Sequence, residues 1–318
     1  MPSYVLKRIV YICFILVVMS VLIFTITQIL PGNVAQMILG QFATEESIRA
    51  VEEKLGLNDP LPVQYWRWAC CLLRGDLGNS LIMERPIAPV LWISLQRSAV
   101  LALMSLIFVT LIAITLGVIA AVEQNRATDH AVSIFTYFGI SVPEFFWGIV
   151  LILFFARYLR WLPSSGYVPL SEGLWNWFSH LIAPTATLTF TLIAHVSRLT
   201  RSSMLEILRS PYITAARAKG LPERVVLVRH ALRNGLLPTI TVLAIDVGWL
   251  FGGIVVVETV FAFPGLGRLL MFAIERRDLP LIQVSILVIT AIYSVSNLIA
   301  DLLYTYLNPR IRYGQAAG

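Results

Sequence analysis

Charged residues are scarce in this chain, which has 318 residues. Asp, Glu, Lys and Arg together make up 13% of it, whereas soluble globular domains contain about 25%. Apolar residues reach 58%, and the mean hydropathy is +0.79. This balance excludes an ordinary soluble domain and indicates a protein that lies largely in a membrane.

Cysteine is also rare, with three residues in the whole chain. Cys70 and Cys71 are adjacent, so a disulfide between them would close a strained ring. Cys13 has no second cysteine near it in the sequence. We therefore exclude a disulfide framework and interpret all three as small apolar residues.

Sequence signatures of catalytic, nucleotide and metal sites are missing. The chain has no P-loop, GxSxG, HExxH or CxxC pattern. Its four histidines are scattered, which argues against a metal-binding cluster. An intramembrane protease stays open as an alternative because Ser, His and Asp occur near the apolar runs, but no segment joins a nucleophile to an oxyanion loop. We predict no catalytic residue, no metal and no cofactor bound by this chain.

The chain contains several long apolar runs. Runs of this length, about 20 residues, can cross a hydrocarbon core of about 30 Å as helices. The first run exceeds the apolar core of a signal peptide and has no small-residue cleavage site, so it is predicted to stay as a span. We predict an all-α polytopic membrane protein with six transmembrane helices. The predicted spans are 9–30, 99–122, 133–156, 181–199, 236–257 and 281–305.

The positions of Lys and Arg predict the orientation, since these residues favour the cytoplasmic side. With the N-terminus inside, the inside segments carry 13 Lys and Arg against four acids. The outside segments carry 11 against ten over far more residues. Both termini are therefore predicted to be cytoplasmic, and the net charge of +6 calls for no nucleic acid partner.

The same pass along the chain predicts three regions. Residues 1–30 hold the N-terminal segment and first span, 31–98 form an extracytoplasmic loop subdomain, and 99–318 form a five-helix core. In the loop, Thr44 is predicted to cap a short helix that ends at Gly56. The core contains a basic loop at 200–235. There the helix of the fourth span is predicted to continue to Pro211, and a short second helix to run from Pro211 to about Lys219.

Acids and glycines inside the apolar runs are candidates for a polar pathway. Burying a carboxylate in lipid costs at least a few kcal/mol, so Glu144 and Asp246 are predicted either to line a pathway or to form a structural pair. Glu258 and Asp301 lie nearer to span ends and are expected to reach the interface or cap neighbours. Gly248, Gly252 and Gly253 present a small-residue surface, which favours close packing of helices; a pore formed between two such subunits would use the same surface.

Several motifs resemble those of one transporter family. Thr214–Gly220 reads TAARAKG and resembles the cytoplasmic loop of ABC-importer permeases, which has Glu-Ala-Ala and, after three further residues, Gly. Thr214 stands in place of the Glu, and the family's Leu-Pro pair is displaced to Leu237-Pro238. This departure resembles the dipeptide, oligopeptide and nickel branch. Further segments typical of that branch follow in order along nearly the whole chain: LPGN, LGLNDPLPVQYW, GDLGNS, LPSSGY, GGIVVVETVFAFPGLGRLL, RDLPLIQ and NPRIRYG.

The resemblance implies a function for the basic loop. In the family it forms a coupling helix that docks on a cytosolic ATPase subunit, which implies that role for Thr214, Ala215, Ala216, Arg217, Lys219, Gly220 and Arg224. Each single cation is equally explained by attraction to anionic lipid. The proposed pathway would be lined by Glu144, Asp246, Gly248, Gly252 and Gly253.

The resemblance also implies an assembly and a location. The chain is expected to form half of the pathway of an ATP-driven importer for di- or oligopeptides in a prokaryotic cytoplasmic membrane. Its expected partners are a second permease, two cytosolic ATPase subunits or domains that bind ATP and Mg, and an extracytoplasmic solute-binding protein. A nickel-chelate or glutathione importer is the alternative. A stand-alone secondary transporter would require an inverted repeat, and none is visible.

Overall fold

The protein is mainly helical in the part that the structure, a computed structural model, describes: residues 2–29, 44–55 and 58–307. Within those ranges the only β-type pairing is an isolated bridge between Asn79 and Pro86. The helices up to the basic loop are α1 (Pro2–Ile29), α2 (Glu45–Leu55), α3 (Leu61–Leu73), α4 (Ile87–Val122), α5 (Ala127–Ser141), α6 (Glu144–Leu151, continued by a π-helix at Ile152–Tyr158) and α7 (Leu174–Leu208). A 3₁₀ turn, Leu170–Glu172, precedes α7.

The basic loop and the last helices complete the order of elements. They are α8 (Pro211–Ala218), α9 (Glu223–Val225, continued by a π-helix at Val226–Ala231), α10 (Leu232–Gly235), α11 (Leu237–Val260), α12 (Leu266–Arg276) and α13 (Leu279–Leu307). Five of the helices, α1, α4, α7, α11 and α13, are long and apolar enough to cross a membrane. The number becomes six if α5 and α6 together form one span.

The third predicted span is not one straight helix. Its two halves, α5 and α6, meet at a bend of 103°. Pro143 causes the break, because its ring disfavours a helical backbone at the residue before it. Val142 is accordingly extended, with φ −108° and ψ 131°. The prediction of one continuous helix over 133–156 was therefore wrong.

The fourth predicted span does continue beyond its apolar run, as expected. Helix α7 extends over 35 residues and contains Pro184 without ending there. It ends at Leu208, and Ser210 then adopts an extended conformation that admits Pro211 as the first residue of α8. Proline suits this position because the first turn of a helix leaves its N–H groups unpaired in any case.

The described residues fall into two compact units, of which the first lies within Met1–Arg97 and Gly265–Ile292. Its core contains Ile87, Leu91 and Leu281. Phe24 of α1 contacts Tyr65 and Trp68 of α3, with ring centroids 5.5 and 5.6 Å away. These contacts place two aromatic residues of α3 against the first apolar helix.

The capping prediction in this unit is confirmed at one end of α2. The backbone N–H of Ser47 donates to the Thr44 hydroxyl at 3.3 Å, and Glu45 and Glu46 occupy the first turn. Acids there are favourable because the N-terminus of a helix carries partial positive charge. Gly56, predicted to end α2, and the terminal NPRIRYG motif lie outside the described residues.

The second unit lies within Ser98–Pro264 and Tyr293–Gly318. Helix α7 is at its centre and packs against α5, α6 and α11. Helix α4 crosses α7 closely at Gly117, where an added Cβ would come within 2.6 Å of the Ser197 carbonyl oxygen. The division of the chain into regions 1–30, 31–98 and 99–318 stays a prediction.

Candidate functional site

The short helix α8 has one face packed inside the chain. Ile213 is fully buried and Ala216 is 6% exposed. Both belong to a small apolar cluster, called the loop core below, whose buried members are Ala121, Met204, Ile213, Ala216, Val226 and Ala231. These residues come from the end of α4, the end of α7, α8 and the π-helix that precedes α11. The loop core therefore joins the basic loop to two long helices, α4 and α7.

Glycine allows the close packing of the loop core. A Cβ on Gly235 would lie 2.4 Å from the Met204 sulfur, so no larger residue fits there without movement. Tyr212 adds a polar contact at the start of α8: its hydroxyl lies 2.5 Å from His230 Nδ1, and the two rings contact edge to face. Sequence reasoning missed this pair, because 18 residues separate its members and neither is unusual by itself.

The opposite face of α8 is exposed. It presents Thr214, Ala215, Arg217 and Ala218 to solvent, and Lys219 follows at the end of the helix. The sequence groups Ala215 and Ala216 as one slim surface, but in the structure Ala215 is exposed and Ala216 is buried. Ala216 is small because it packs on the loop core, whereas Ala215 and Ala218 keep the outer surface slim. A docking partner would meet only the second pair.

A tight turn follows α8 and is held by an ion pair. Gly220 has φ +74°, a left-handed conformation that only glycine adopts easily, while its Cβ position is open space. Across this turn Arg217 donates to both carboxylate oxygens of Glu223, at 3.1 and 2.6 Å. The Arg217 guanidinium thereby lowers the pKa of Glu223 below its ordinary value of 4.5. Arg217 thus stabilises its own loop, while Lys219 and Arg224 form no ion pair with the residues that the structure describes.

Glu144 and Gly253 are brought together. Glu144 begins α6 immediately after Pro143, and a Cβ on Gly253 of α11 would lie 3.1 Å from each of its carboxylate oxygens. The carboxylate is half-buried, and its Oε1 finds no hydrogen-bond donor among the described residues. One turn later, Trp147 stacks on Phe190 of α7 at 4.4 Å, which fixes the start of α6. Because Gly253 has no side chain, the Glu144 carboxylate can occupy the space beside it.

Asp246 lies on the same face of α11. It stands seven residues before Gly253, so the two positions are about 10 Å apart along the helix. Asp246 is 8% exposed, and its Oδ2 has no partner among the described residues. His195 of α7 lies close enough to interact with it electrostatically. Buried carboxylate oxygens without donors are rare in folded proteins, so Glu144 and Asp246 both qualify as sites with a role beyond packing.

The remaining predicted glycines differ from each other. A Cβ on Gly248 would lie 3.0 Å from the ring of Tyr293 on α13, so this glycine permits close helix packing. Gly252 has no atom within 4 Å of its Cβ position. The two do not form one packing surface, since only Gly248 is covered by a neighbouring helix.

Glu258 was expected to reach the interface or to cap a neighbour, and the structure places it inside the chain, against a side chain of α4. It is fully buried and accepts a hydrogen bond of 2.5 Å from the Ser98 hydroxyl. Helix α7 carries four alternating threonines, at positions 185, 187, 189 and 191, and their hydroxyls differ in hydrogen bonding. Thr187 bonds to the carbonyl four residues earlier and Thr189 to the one three residues earlier, while the hydroxyls of Thr185 and Thr191 are buried without a partner in the described part of the chain.

The strongest polar contact of the second unit was not predicted. Arg201 of α7 donates from Nε and Nη2 to the two oxygens of Asp129, at 2.6 and 2.7 Å. The Asn125 backbone N–H also donates to Asp129, which is 2% exposed. Asp129 is one of two acids in segment 123–132, and 72 residues separate it from Arg201. No sequence pattern links positions that far apart.

Comparison with known proteins identifies the family. The profile described as "Binding-protein-dependent transport system inner membrane component" matches residues 113–313. A second, for the N-terminal part of such membrane components, matches residues 1–115. The chain belongs to this family. It is an all-α, multi-pass inner membrane protein with the ABC permease fold, and it is the transmembrane subunit of an ATP-driven importer.

Curated relatives match over 98% of the chain and over their own full length. A probable peptide ABC transporter permease of Sinorhizobium fredii is 41% identical. A dipeptide transport system permease of Alkalihalophilus pseudofirmus is 38% identical, and a glutathione transport system permease of Salmonella paratyphi A is 37% identical. Among solved structures, an amino acid ABC transporter chain is 16% identical with a TM-score of 0.50, and the match covers 70% of this chain and 94% of that one. That likeness supports the fold.

Proposed function

We propose that this permease forms one half of a translocation pathway for di- or oligopeptides. The relatives that match over their whole length are named for peptide, dipeptide and glutathione transport, and glutathione is itself a tripeptide. A glutathione importer is therefore the second candidate. The partners would be a second permease, two cytosolic ATPase subunits or domains and an extracytoplasmic solute-binding protein. ATP and Mg would bind at the ATPases, and this chain would bind no cofactor and catalyse no reaction.

The observation that carries the proposed mechanism is the division of α8 into two faces. The exposed face, with Ala215 and Ala218 flanked by Arg217 and Lys219, offers a slim helix and cations to a protein partner. The buried face packs on the loop core. A displacement of α8 would therefore move the ends of α4 and α7 and the start of the segment that leads into α11. Both termini and the basic loop would be cytoplasmic.

The pathway would lie along the side of α11 that bears Asp246 and Gly253. Because α11 follows the loop core directly, movement of α8 would reach this surface without a flexible link. Glu144 at the α6 bend would move with it, since its carboxylate rests in the space left by Gly253. When ATP closes the ATPases, this movement would switch the access of Glu144 and Asp246 from one side of the membrane to the other.

A pair of exposed alanines tests the docking role. Ala215→Asp places a carboxylate on the outer face of α8. Ala127→Asp makes the same change at the start of α5, next to the loop between the second and third predicted spans, which is also predicted to be cytoplasmic. Both positions are exposed, so neither change disturbs the core. We expect Ala215→Asp to weaken copurification of the ATPase subunits and uptake at least tenfold, since burying an unpaired charge in an interface costs well over the 1.4 kcal/mol that this factor represents. Equal effects of both substitutions would contradict docking at α8.

The cargo is tested separately, by uptake of a labelled dipeptide, glutathione and a nickel chelate into vesicles that contain the whole transporter. We expect transport of the dipeptide to exceed that of the nickel chelate. Transport of the chelate alone would refute the peptide assignment and leave the docking result untouched.

A further inference from the structure

A polar cleft opens between α5 and α7. The two helices are in close contact at Gly139, where an added Cβ would lie 3.0 Å from the Ala194 methyl group. They are joined again by the Asp129–Arg201 ion pair. Between these two contacts lies a small open cleft of about 40 Å³. It belongs neither to the exposed face of α8 nor to the Asp246 side of α11.

The cleft carries a positive charge that the chain does not neutralise. Arg198 and Arg201, one turn apart on α7, both line it. Asp129 balances Arg201, whereas Arg198 is exposed and forms no ion pair with any residue that the structure describes. Arg201 uses Nε and Nη2 for Asp129, so its Nη1 is still available as a donor. The cleft therefore offers one uncompensated cation and further guanidinium N–H groups.

A buried hydroxyl without a partner lies in the lining of the same cleft. Ser197 is 0% exposed, and its Oγ has no hydrogen-bond partner among the described residues. Thr136 and Ser133 of α5 line the opposite side. A buried hydroxyl normally finds a partner, because leaving it unpaired costs free energy. An anion with several oxygen atoms would accept from Ser197 and from both arginines.

The surroundings of the cleft are apolar and exposed. On α5, Ile134 is 69% exposed, Phe138 is 58% exposed, and Tyr137 at the rim is 60% exposed. In a membrane protein such side chains are suited to contact with acyl chains. Arg198 and Arg201 occur where the apolar part of α7 gives way to its polar end. With α7 as a membrane span, as predicted, this is the depth at which phosphate groups of lipids would lie. Basic pockets between helices at a membrane surface suit anionic headgroups.

We propose that the cleft between α5 and α7 binds the phosphate of an anionic phospholipid. The phosphate oxygens accept hydrogen bonds from Arg198, from Nη1 of Arg201 and from Ser197. The acyl chains cover Ile134 and Phe138. A bound lipid holds α5 against α7 at the level where the ion pair joins them, and α7 leads directly to the loop core. The site is independent of the cargo and of the ATPase contact.

The test uses the full-length chain in its transporter complex, in phosphatidylcholine nanodiscs titrated with phosphatidylglycerol. Retained lipid is counted by mass spectrometry after the disc lipid is washed away. We expect selective retention of phosphatidylglycerol, with the apparent affinity reduced about fivefold in Arg198→Gln, the loss typical of one cation at a membrane surface. Ser197→Ala, which leaves the charge unchanged, is also expected to reduce the apparent affinity for phosphatidylglycerol.

Two matched controls distinguish a specific lipid-binding site from general electrostatic attraction of anionic lipid to the protein surface. Arg209→Gln removes a cation from the end of the same helix outside the cleft, and Ser105→Ala removes another buried unpartnered hydroxyl. Both are expected to retain the lipid as the unchanged chain does. Equal losses in Arg198→Gln and Arg209→Gln would overturn the proposal in favour of surface charge. Displacement of the lipid by millimolar inorganic phosphate, or no preference over phosphatidylcholine, would overturn it as well.

Discussion

At the scale of single residues, the glycines of the candidate site meet different physical requirements. Gly220 is needed for its backbone conformation, as its φ of +74° shows, and Gly248 and Gly253 are needed for space. The role of Gly220 as a turn residue was predictable because it follows a short helix and precedes Leu221-Pro222. The neighbour that each of the other two accommodates was not predictable, since it belongs to a helix distant in sequence.

Gly253→Ala is expected to slow uptake by several-fold. The added methyl group would lie 3.1 Å from both oxygens of Glu144 and displace a carboxylate that has little hydrogen bonding to hold it. Gly252→Ala is the matched control, because it has the same cost in helix propensity on the same helix and its Cβ meets no atom within 4 Å. Uptake and ATPase activity in proteoliposomes are the measurements. Equal uptake by the two variants would show that Glu144 does not depend on the space at Gly253.

The Arg217–Glu223 pair makes a pH prediction. Since the pKa of Glu223 is lowered by the hydrogen bonds from Arg217, the pair's stabilisation is present above 4.5 and is lost as the pH falls through the lowered pKa. The Glu223 carboxyl can be followed by ¹³C NMR of the glutamate-labelled chain, assigned from the Glu223→Gln spectrum. We expect Arg217→Gln to raise the midpoint towards 4.5. Lys219→Gln, which removes a neighbouring charge and no hydrogen bond, should shift it less; an equal shift would exclude a specific pair.

At the scale of elements, most of the helices were predictable and one bend was not. The apolar runs predicted the positions of the long helices. Backbone N–H and C=O groups must find partners within the chain when they lie in lipid, so few structures other than helices can cross a membrane. The short α8 was predictable from Pro211 and Gly220. The bend at Pro143 was missed because proline inside membrane helices has two outcomes: Pro184 leaves α7 continuous, whereas Pro143 separates α5 from α6 by 103°. Local sequence does not distinguish these cases; the packing of Trp147 on Phe190 does.

Replacing Pro143 tests how far the proline itself sets the bend. In Pro143→Ala, Val142 regains access to the helical conformation, so a second population with α5 and α6 in line is expected. Spin labels at positions 128 and 156 would report it, because a straight helix separates them by about 42 Å and the bend brings them closer. Pro184→Ala should leave this distance unchanged. One short distance in both variants would show that tertiary contacts alone impose the bend.

At the scale of the whole molecule, composition and motif order were sufficient to predict the family. Long-range pairing was not predictable: Asp129 with Arg201, Glu258 with Ser98, and Glu144 against Gly253 all join different helices. Each is set by how helices meet, and a single sequence does not specify that. All three connect another helix to α7 or α11, and the contact of Glu144 with Gly253 lies in the proposed pathway.

The orientation of the chain is a prediction that two serines can test. Ser171 lies just before α7 and Ser202 near its end, both are exposed, and the helix between them is long enough to cross a membrane. In a chain with Cys13, Cys70 and Cys71 replaced by alanine, Ser171→Cys should react with an impermeant maleimide added outside spheroplasts. Ser202→Cys should react only in inverted vesicles, because the Lys and Arg excess of segment 198–235 favours the cytoplasmic side. Both should react in detergent. The reverse pattern would place α8 outside and remove its access to a cytosolic ATPase.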